Sequence, residues 1–576
     1  MNMMSKPQPP NLDAEARPEM SDRPWLASYP DGAPAEIDVT GCDTIPAIWR
    51  NSLAHWGGKT ALESFGVRMT YAELGRQADA VASWLQSAGL CKGDRVGIMM
   101  PNVMAYPAIL LGVLSAGGVV VNVNPLYTAR ELEHQLNDAE VRFLFVIENF
   151  AHTVQAAALK LKVERYIVVS AGDLLKWKSG LVNFVARRVK KMVPAFQLAP
   201  SLPFSEVLRS GRGRKFEKVE IFPDDIAFLQ YTGGTTGVAK GATLLHKNVA
   251  ANVMQARAWF GAFFEEGASQ VMVTALPLYH IFALTVCCLY FLATGGSCLL
   301  VANPRDIGGL VKLMKRSRFT MLSGVNTLYA ALAEHPELPD VDFTKVVGCV
   351  AGGMATQEVV ARRWRKITGR PIIEGYGLSE TSPIVCTNRF DIEEFSGTVG
   401  YPLPSTEVSI RAADGATLPL GATGELCVRG PQVMAGYWNC PNETAVAMTK
   451  DGYFRTGDVA TILPDGQVKL VDRLKEMILV SGFNVYPVEV EQVLIQHEKV
   501  RDVAVIGVPD PHSGEAVVAF IVSRDPSLTA AELTRFCREN LTPYKTPRRF
   551  EFRDDLPRSN VGKVLRRVLK TDLLGS

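Results

Sequence analysis

Ten consecutive residues, Thr232-Gly-Gly-Thr-Thr-Gly237-Val-Ala-Lys240-Gly241, include seven Gly or Thr and one Lys. Glycines let successive backbone N–H groups turn toward a ligand, the threonine hydroxyls add donors, and Lys240 adds a mobile positive charge. Those parts suit a polyphosphate. The run departs from the G-x-x-x-x-G-K-[ST] pattern: Ala239 precedes Lys240 where that pattern has Gly, and Gly241 stands where it has a magnesium-binding Ser or Thr. The plain alternative is a surface turn between two strands. Three threonines among four glycines favour phosphate.

The elements around this run have to position it. Ile226 to Tyr231 is a short apolar run, expected as a buried strand, and Ala242 to His246 is another apolar segment. No helix N-terminus therefore follows the loop directly. Upstream, strand-like runs (Arg95 to Met100, Val119 to Val123, Phe143 to Ile147, Tyr166 to Ser170) alternate with helix-like ones. Thr70-Tyr-Ala-Glu73 and Thr128-Ala-Arg-Glu131 read as capping boxes that open helices. The alternation predicts an α/β fold of helix-covered, mostly parallel sheets. Strand Val346 to Val350 runs into Gly352-Gly-Met354, and strand Ile372 to Tyr376 into a polar loop with Glu380. Beyond Val399 short alternating runs and two Asp-Gly turns, at Asp414-Gly415 and Asp465-Gly466, predict a small β subdomain. A boundary is expected near Asp472, with a small α+β unit after it, in which Thr529-Ala-Ala-Glu532 is a third capping box. The expected division is a largely disordered N-terminal tail at 1–35, clearest over 1 to about 22, a large domain at 36–471 and a small one at 472–576.

Composition bounds the rest. At 576 residues and 47% hydrophobic content the chain can bury more than one core. A net charge of +2 from 61 basic and 59 acidic residues gives no global case for nucleic acid. Ten cysteines without a C-x-x-C predict reduced thiols and a cytoplasmic protein. No Asp, Glu, Lys or Arg occurs from Val271 to Pro304, but Pro277, His280 and Gly295-Gly296 leave only Ile281 to Ala293 as a core helix, too short to span a bilayer. Between Asp173 and Pro194 an apolar stripe (Leu181, Val182, Val185, Val189, Met192, Val193) lies beside Lys176, Lys178, Arg187, Arg188, Lys190 and Lys191. Two readings stay open: a peripheral contact of 174–194 with an anionic membrane on the inner face of the cell membrane, or a helix packed on its own domain with a solvated basic face.

The motifs occur in an order that resembles the adenylate-forming superfamily of acyl-CoA synthetases, luciferases and adenylation domains. They are Tyr231 to Gly241, Tyr376-Gly-Leu-Ser-Glu380-Thr381, Tyr453-Phe-Arg-Thr-Gly-Asp458, Asp472-Arg-Leu-Lys475 and Pro557-Arg-Ser-Asn-Val-Gly-Lys563. Each alone is weak; five in order, over a resemblance from about residue 45 to the end, are strong. Asn122 to Tyr127, Pro277 to Ala283 and Val480 to Pro487 are most similar to bacterial long-chain fatty acyl-CoA synthetases.

The resemblance implies ATP-dependent activation of a fatty acid as acyl-adenylate, then transfer to CoA, with AMP and pyrophosphate released and Mg²⁺ as cofactor. By it, Thr232, Gly233, Gly234, Thr235, Thr236, Gly237 and Lys240 hold the phosphates, and Glu380 with Thr232 binds Mg²⁺. Gly352, Gly353, Met354 and Tyr376, with Gly377 and Thr381 next to it, form the adenine side. Asp458 takes the ribose with help from Arg473. Lys563 serves adenylation, Asp472 is the hinge of a mobile C-terminal domain, and Gly482 lines the CoA channel. His280, Val325 and Leu328 line the acyl pocket. Outside the motif set, Asp458 reads as a turn cap, Glu380 as a helix N-terminal acid and His280 as a core histidine. Rival functions are a ligase for medium-chain or aryl acids and a non-catalytic membrane-associated lipid-binding relative; a homodimer is left open.

Overall fold

The computed structural model describes residues 23–40, 44–214, 216–232, 239–265, 267–481, 483–559 and 562–574. Two large sheets dominate. In one, eight strands include a parallel set from Arg95–Met99, Val119–Asn122, Val141–Ile147, Arg165–Val169 and Ile226–Thr232, extended by the antiparallel strand Lys240–Leu245. The other has nine strands, with a parallel centre of Val271–Thr274, Met321–Gly324, Gly348–Ala351 and Ile372–Gly377. Apolar side chains on both faces of the central strands are buried, as parallel sheets between helix layers require. A third sheet, Glu407–Arg411, Thr423–Arg429, Phe454–Ile462 and Val468–Arg473, is wholly antiparallel. From Ile478 onward a five-stranded sheet carries apolar clusters of its own, which do not merge with the large core.

Local rules placed many element starts. Both Thr70–Glu73 and Thr128–Glu131 are reciprocal capping boxes, opening Tyr71–Ser87 and Ala129–Asp138. At Thr529 only half of the box forms: its hydroxyl accepts from Glu532 N–H, but the Glu532 carboxylate turns to Lys499 at 3.1 Å. The core helix after Ile281 contains a π-turn over Ala283–Leu289 before the short α-helix Tyr290–Ala293. No helix among the described residues is long and apolar enough to cross a membrane.

The N-terminal expectation needs correction. Residues 23–35, placed with the tail, are packed onto the third sheet. Trp25 is 2% exposed, Arg23 pairs with Glu407 at 2.9 Å, and the Tyr29 hydroxyl donates to the Pro402 carbonyl. A Cβ on Gly466 would sit 2.3 Å from the Trp25 backbone, so the Asp465-Gly466 turn is shaped around this segment. Residues 1–22 lie outside the described ones.

The 173–194 segment was expected to present one apolar stripe and presents two. Val182 packs on the core and Ala186 is buried, while Trp177, Leu181, Phe184, Val189 and Met192 are all more than half exposed. The α-helix Ser179–Phe184 already divides them, and a π-turn at Val185–Val189 follows it. Arg187, counted with the basic residues of the stripe, is half exposed but tethered: its guanidinium donates to buried Glu148 at 2.7 Å and to Ser170.

Candidate active site

The glycine-threonine run joins two antiparallel strands, Ile226–Thr232 and Lys240–Leu245, in a register that pairs Thr232 with Lys240. Thr232 and Lys240 therefore stand at the two feet of the loop. Gly233, Gly234, Thr235, Thr236 and Gly237 lie outside the described residues. Tyr231, one residue before the loop, donates its hydroxyl to Asp138, whose backbone carbonyl also takes the Trp438 indole N–H at 3.0 Å. The Lys240 ammonium is 3.7 Å from Glu443 and 5.6 Å from the centre of the Tyr437 ring. Neither Asp138 nor the 434–443 segment was singled out from sequence. The adjacent aromatics Tyr437-Trp438 were the available signal.

Strand Ile372–Gly377 delivers the second motif. A Cβ on Gly377 would lie 1.9 Å from the Pro383 carbonyl oxygen, so only glycine lets the following turn fold back. That turn, Ser379–Thr381, packs against both strands of the loop hairpin. Glu380 is 8% exposed and accepts from the Tyr437 hydroxyl at 2.8 Å. Burial raises its pKa, and the Tyr437 hydrogen bond and Arg473 oppose that rise. Thr381 is fully buried and its hydroxyl is engaged by Leu378 N–H and the Pro383 carbonyl, so the structure gives it a turn-shaping part. Tyr376 donates to Asp458 Oδ2 at 2.6 Å.

Asp458 and Arg473 face each other across neighbouring strands, with Nε to Oδ1 at 2.9 Å. Gly457, at φ +70°, allows the close turn in which its carbonyl accepts Leu474 N–H. Gly352 and Gly353 leave strand Gly348–Ala351 beside this pair of motifs. A Cβ on Gly352 would meet the Phe282 ring at 3.0 Å and the Gly375 carbonyl at 3.2 Å, whereas the space over Gly353 is open. The Phe282 ring and the Gly375 carbonyl thus close off the side of Gly352 just before Met354.

Lys563 comes from the C-terminal part. Its loop is closed by Ser559 N–H donating to the Lys563 carbonyl at 2.7 Å, and Gly562, at φ +78°, seats the loop against Val325 and Thr327 of the large domain. Lys563 is exposed, and the charges of Arg473, Asp458, Glu380 and Glu476 all act on its ammonium. Desolvation, then repulsion by Arg473, lowers its pKa against the pull of those carboxylates. His280 is nearby and held neutral, its pKa lowered to about 4 by burial first and Lys563 second. Val325 and Leu328 are buried at 7% and 8% exposure, at the start of helix Asn326–Glu334.

Asp472 ends strand Val468–Arg473. Its carboxylate accepts from Arg473 N–H at 2.7 Å and from Val488 N–H at 2.9 Å, joining the third sheet to the first turn of helix Pro487–Leu494. Gly482 lies outside the described residues.

No cluster of three or more His, Cys, Asp or Glu suited to a metal occurs among the described residues. The residues expected from sequence to hold Mg²⁺ offer one buried carboxylate, Glu380, and one hydroxyl, Thr232. Those are hard oxygens in the small number that suits a magnesium ion completed by phosphates and water.

A hairpin with Thr232 and Lys240 at its feet, an Asp458–Arg473 pair on adjoining strands and Lys563 from the C-terminal part lie in one region of the molecule. The chain belongs to the AMP-binding enzyme family: residues 49–438 match that family, and residues 489–563 match the AMP-binding enzyme C-terminal domain. It is 48% identical over 553 residues to the long-chain-fatty-acid–CoA ligase of Escherichia coli O6:H1, covering 96% of this chain and 98% of the relative. Against the enzyme of the same name from Yersinia pestis it is 49% identical over the same shares. Among solved structures, the anthranilate CoA ligase AuaEII in complex with anthranoyl-AMP superposes with a TM-score of 0.80 at 25% identity, over 92% of this chain and 97% of that one.

Proposed function

We propose that this enzyme joins a long-chain fatty acid to CoA in two steps, using ATP and releasing AMP and pyrophosphate. The observation that supports it most is the meeting of Lys563, Arg473, Asp458 and Glu380 at one cleft, in a chain nearly half identical to long-chain-fatty-acid–CoA ligases. In the first step a carboxylate oxygen attacks the α-phosphorus and pyrophosphate leaves with the electron pair of the broken P–O bond. Two anions must approach, so cations and alignment set the barrier. Lys563 would offset that charge, and the Thr232 to Gly237 loop with Lys240 would hold the phosphates. Asp458 would accept from the ribose hydroxyls: each carboxylate oxygen keeps a lone pair beyond its bonds to Arg473 and Tyr376. Glu380 and Thr232 would hold Mg²⁺, which when bound neutralises phosphate charge.

In the second step the CoA thiol attacks the acyl carbon, the thioester forms and AMP leaves. We assign the exchange between steps to rotation of the 472–576 domain about Asp472, withdrawing Lys563 and bringing the segment around Gly482 to the pantetheine channel. His280, Val325 and Leu328 would line the acyl pocket, where each buried methylene contributes about 0.8 kcal/mol. Pyrophosphate release across acids of graded length is the test. A maximum at long chains with AMP formed is expected; ADP and phosphate as products overturn the reading, and a maximum at aryl or medium-chain acids moves it to the rival substrates.

A peripheral membrane contact is favoured by the outer face of 177–192, where Trp177 is 79% and Leu181 61% exposed, beside exposed Arg188, Lys190 and Lys191. Aromatic and aliphatic side chains with flanking cations suit an anionic lipid surface. The protein should co-sediment with anionic vesicles more than with neutral ones and be released by salt. Charge reversal of Arg188, Lys190 and Lys191 that leaves binding unchanged rejects this contact.

A further inference from the structure

One side chain touches both halves of the triphosphate site. Tyr437 lies on the two-residue strand Gly436–Tyr437, paired antiparallel with Lys240–Leu245 so that Tyr437 faces Ala242 and Gly436 faces Thr243. The register is held from behind, where Tyr437 N–H donates to the Thr444 hydroxyl at 2.9 Å. From this position the Tyr437 hydroxyl donates to Glu380 Oε1 at 2.8 Å, and its ring face looks at the Lys240 ammonium from 5.6 Å. The same segment grips Glu380 a second time, through Met434 N–H and the Glu380 carbonyl at 2.7 Å. Glu443, six residues on, stands 3.7 Å from Lys240.

A carboxylate on a single turn can rotate about its own bonds. A metal held by one or two protein oxygens cannot by itself correct a misplaced one. A donor fixed to Oε1 sets the plane of the carboxylate and leaves Oε2 as the oxygen aimed away from Tyr437. The aromatic face meanwhile attracts the ammonium electrostatically and limits where Lys240 can reach. We propose that Tyr437 is a positioning residue that sets the Glu380 carboxylate and the Lys240 ammonium relative to each other, so that the metal and phosphate contacts form together. This rests on the assignments of Glu380 to Mg²⁺ and Lys240 to phosphate made above.

The two interactions separate by substitution. Tyr437→Phe keeps the ring under Lys240 and deletes only the O–H; Tyr437→Leu deletes both. Calorimetric binding of ATP with and without Mg²⁺, in the absence of fatty acid, reads the two contacts apart from turnover. Tyr437→Phe should weaken Mg·ATP binding about ten-fold, the loss expected of one hydrogen bond to a charged group, and leave metal-free ATP binding unchanged. The half-saturating Mg²⁺ for pyrophosphate release should rise in parallel, with the maximal rate recovered at high Mg²⁺. Tyr437→Leu should in addition weaken metal-free ATP binding. Melting temperatures measured alongside report whether each variant is folded. Wild-type Mg²⁺ dependence in Tyr437→Phe, or equal losses with and without metal, overturns the proposal. Glu380→Gln is the companion: if it shifts Mg²⁺ dependence and Tyr437→Phe does not, the coupling fails, and if it does not shift Mg²⁺ dependence, the underlying metal assignment fails.

Discussion

The two walls of the cleft are built in opposite ways. On the large-domain wall, Asp458 is 8% exposed at its side chain and bonded to Tyr376, whose strand is paired on both sides, and to Arg473, the residue just past Asp472, at the end of the third sheet's edge strand. On the C-terminal wall, Lys563 is exposed and follows one left-handed glycine, and one described ion pair crossing from that domain is Arg524 with Glu334, 47% and 45% exposed at 3.1 Å. An exposed pair of this sort is worth about 0–1 kcal/mol. In the proposed exchange the first wall stays and the second leaves. Glu334 is also shared with Arg363 at 3.5 Å, so releasing Arg524 leaves its carboxylate still paired within the large domain.

That contrast can be broken from either side. The largest effect is expected on the fixed wall: Asp458→Ala strands the Arg473 guanidinium and the Tyr376 hydroxyl, and kcat/KM for ATP should fall at least about a hundred-fold, the scale of lost hydrogen bonds to a charged group. A loss below five-fold in steady-state kinetics would mean that the pair only braces the sheet. On the movable wall, Glu334→Gln should be mild. It should change the ratio of adenylation to thioester rates by no more than about five-fold, and high salt should reproduce the change in the unmodified enzyme. A collapse of both half-reactions would show that the exposed pair is structural after all.

The smallest effect concerns acid. His246, in the fixed body, is buried with its pKa lowered to about 4 by desolvation, and its ring nitrogen accepts from Ile45 N–H. A depressed folded pKa contributes stability that is present above the unfolded value near 6.5 and lost as pH falls from there toward 4. Melting temperature should therefore drop over that window, and His246→Gln should flatten part of the slope. An unchanged slope would assign the acid sensitivity to other groups.

What could be read from sequence followed from range. Capping boxes at Thr70 and Thr128 are settled within four residues, and they formed as expected. At Thr529 the same local pattern lost its second half because Lys499, distant in sequence, competes for Glu532. The site motifs announced Asp458, Arg473, Glu380 and Lys563, and in the fold the first three lie near enough for their charges to act on Lys563. Tyr437 and Asp138 were silent because their partners lie 57 and 93 residues away. The stripe at 181–193 was misjudged for a different reason. Periodicity grouped Leu181 with Val182, neighbours about 100° apart around a helix, and the structure turns Val182 inward and Leu181 and Phe184 outward.

The central claim is that one fixed wall serves two steps while the other wall is exchanged between them. Its most direct measurement assays the half-reactions separately in Lys563→Ala and Gly482→Leu: pyrophosphate release from fatty acid and ATP, and acyl-CoA formation from supplied acyl-adenylate and CoA. Lys563→Ala should lose the first by about a hundred-fold or more while keeping the second, since a cation that offsets transition-state charge contributes only where that charge forms. Gly482→Leu should keep the first and lose the second. Equal loss of both half-reactions in both variants would contradict the exchange.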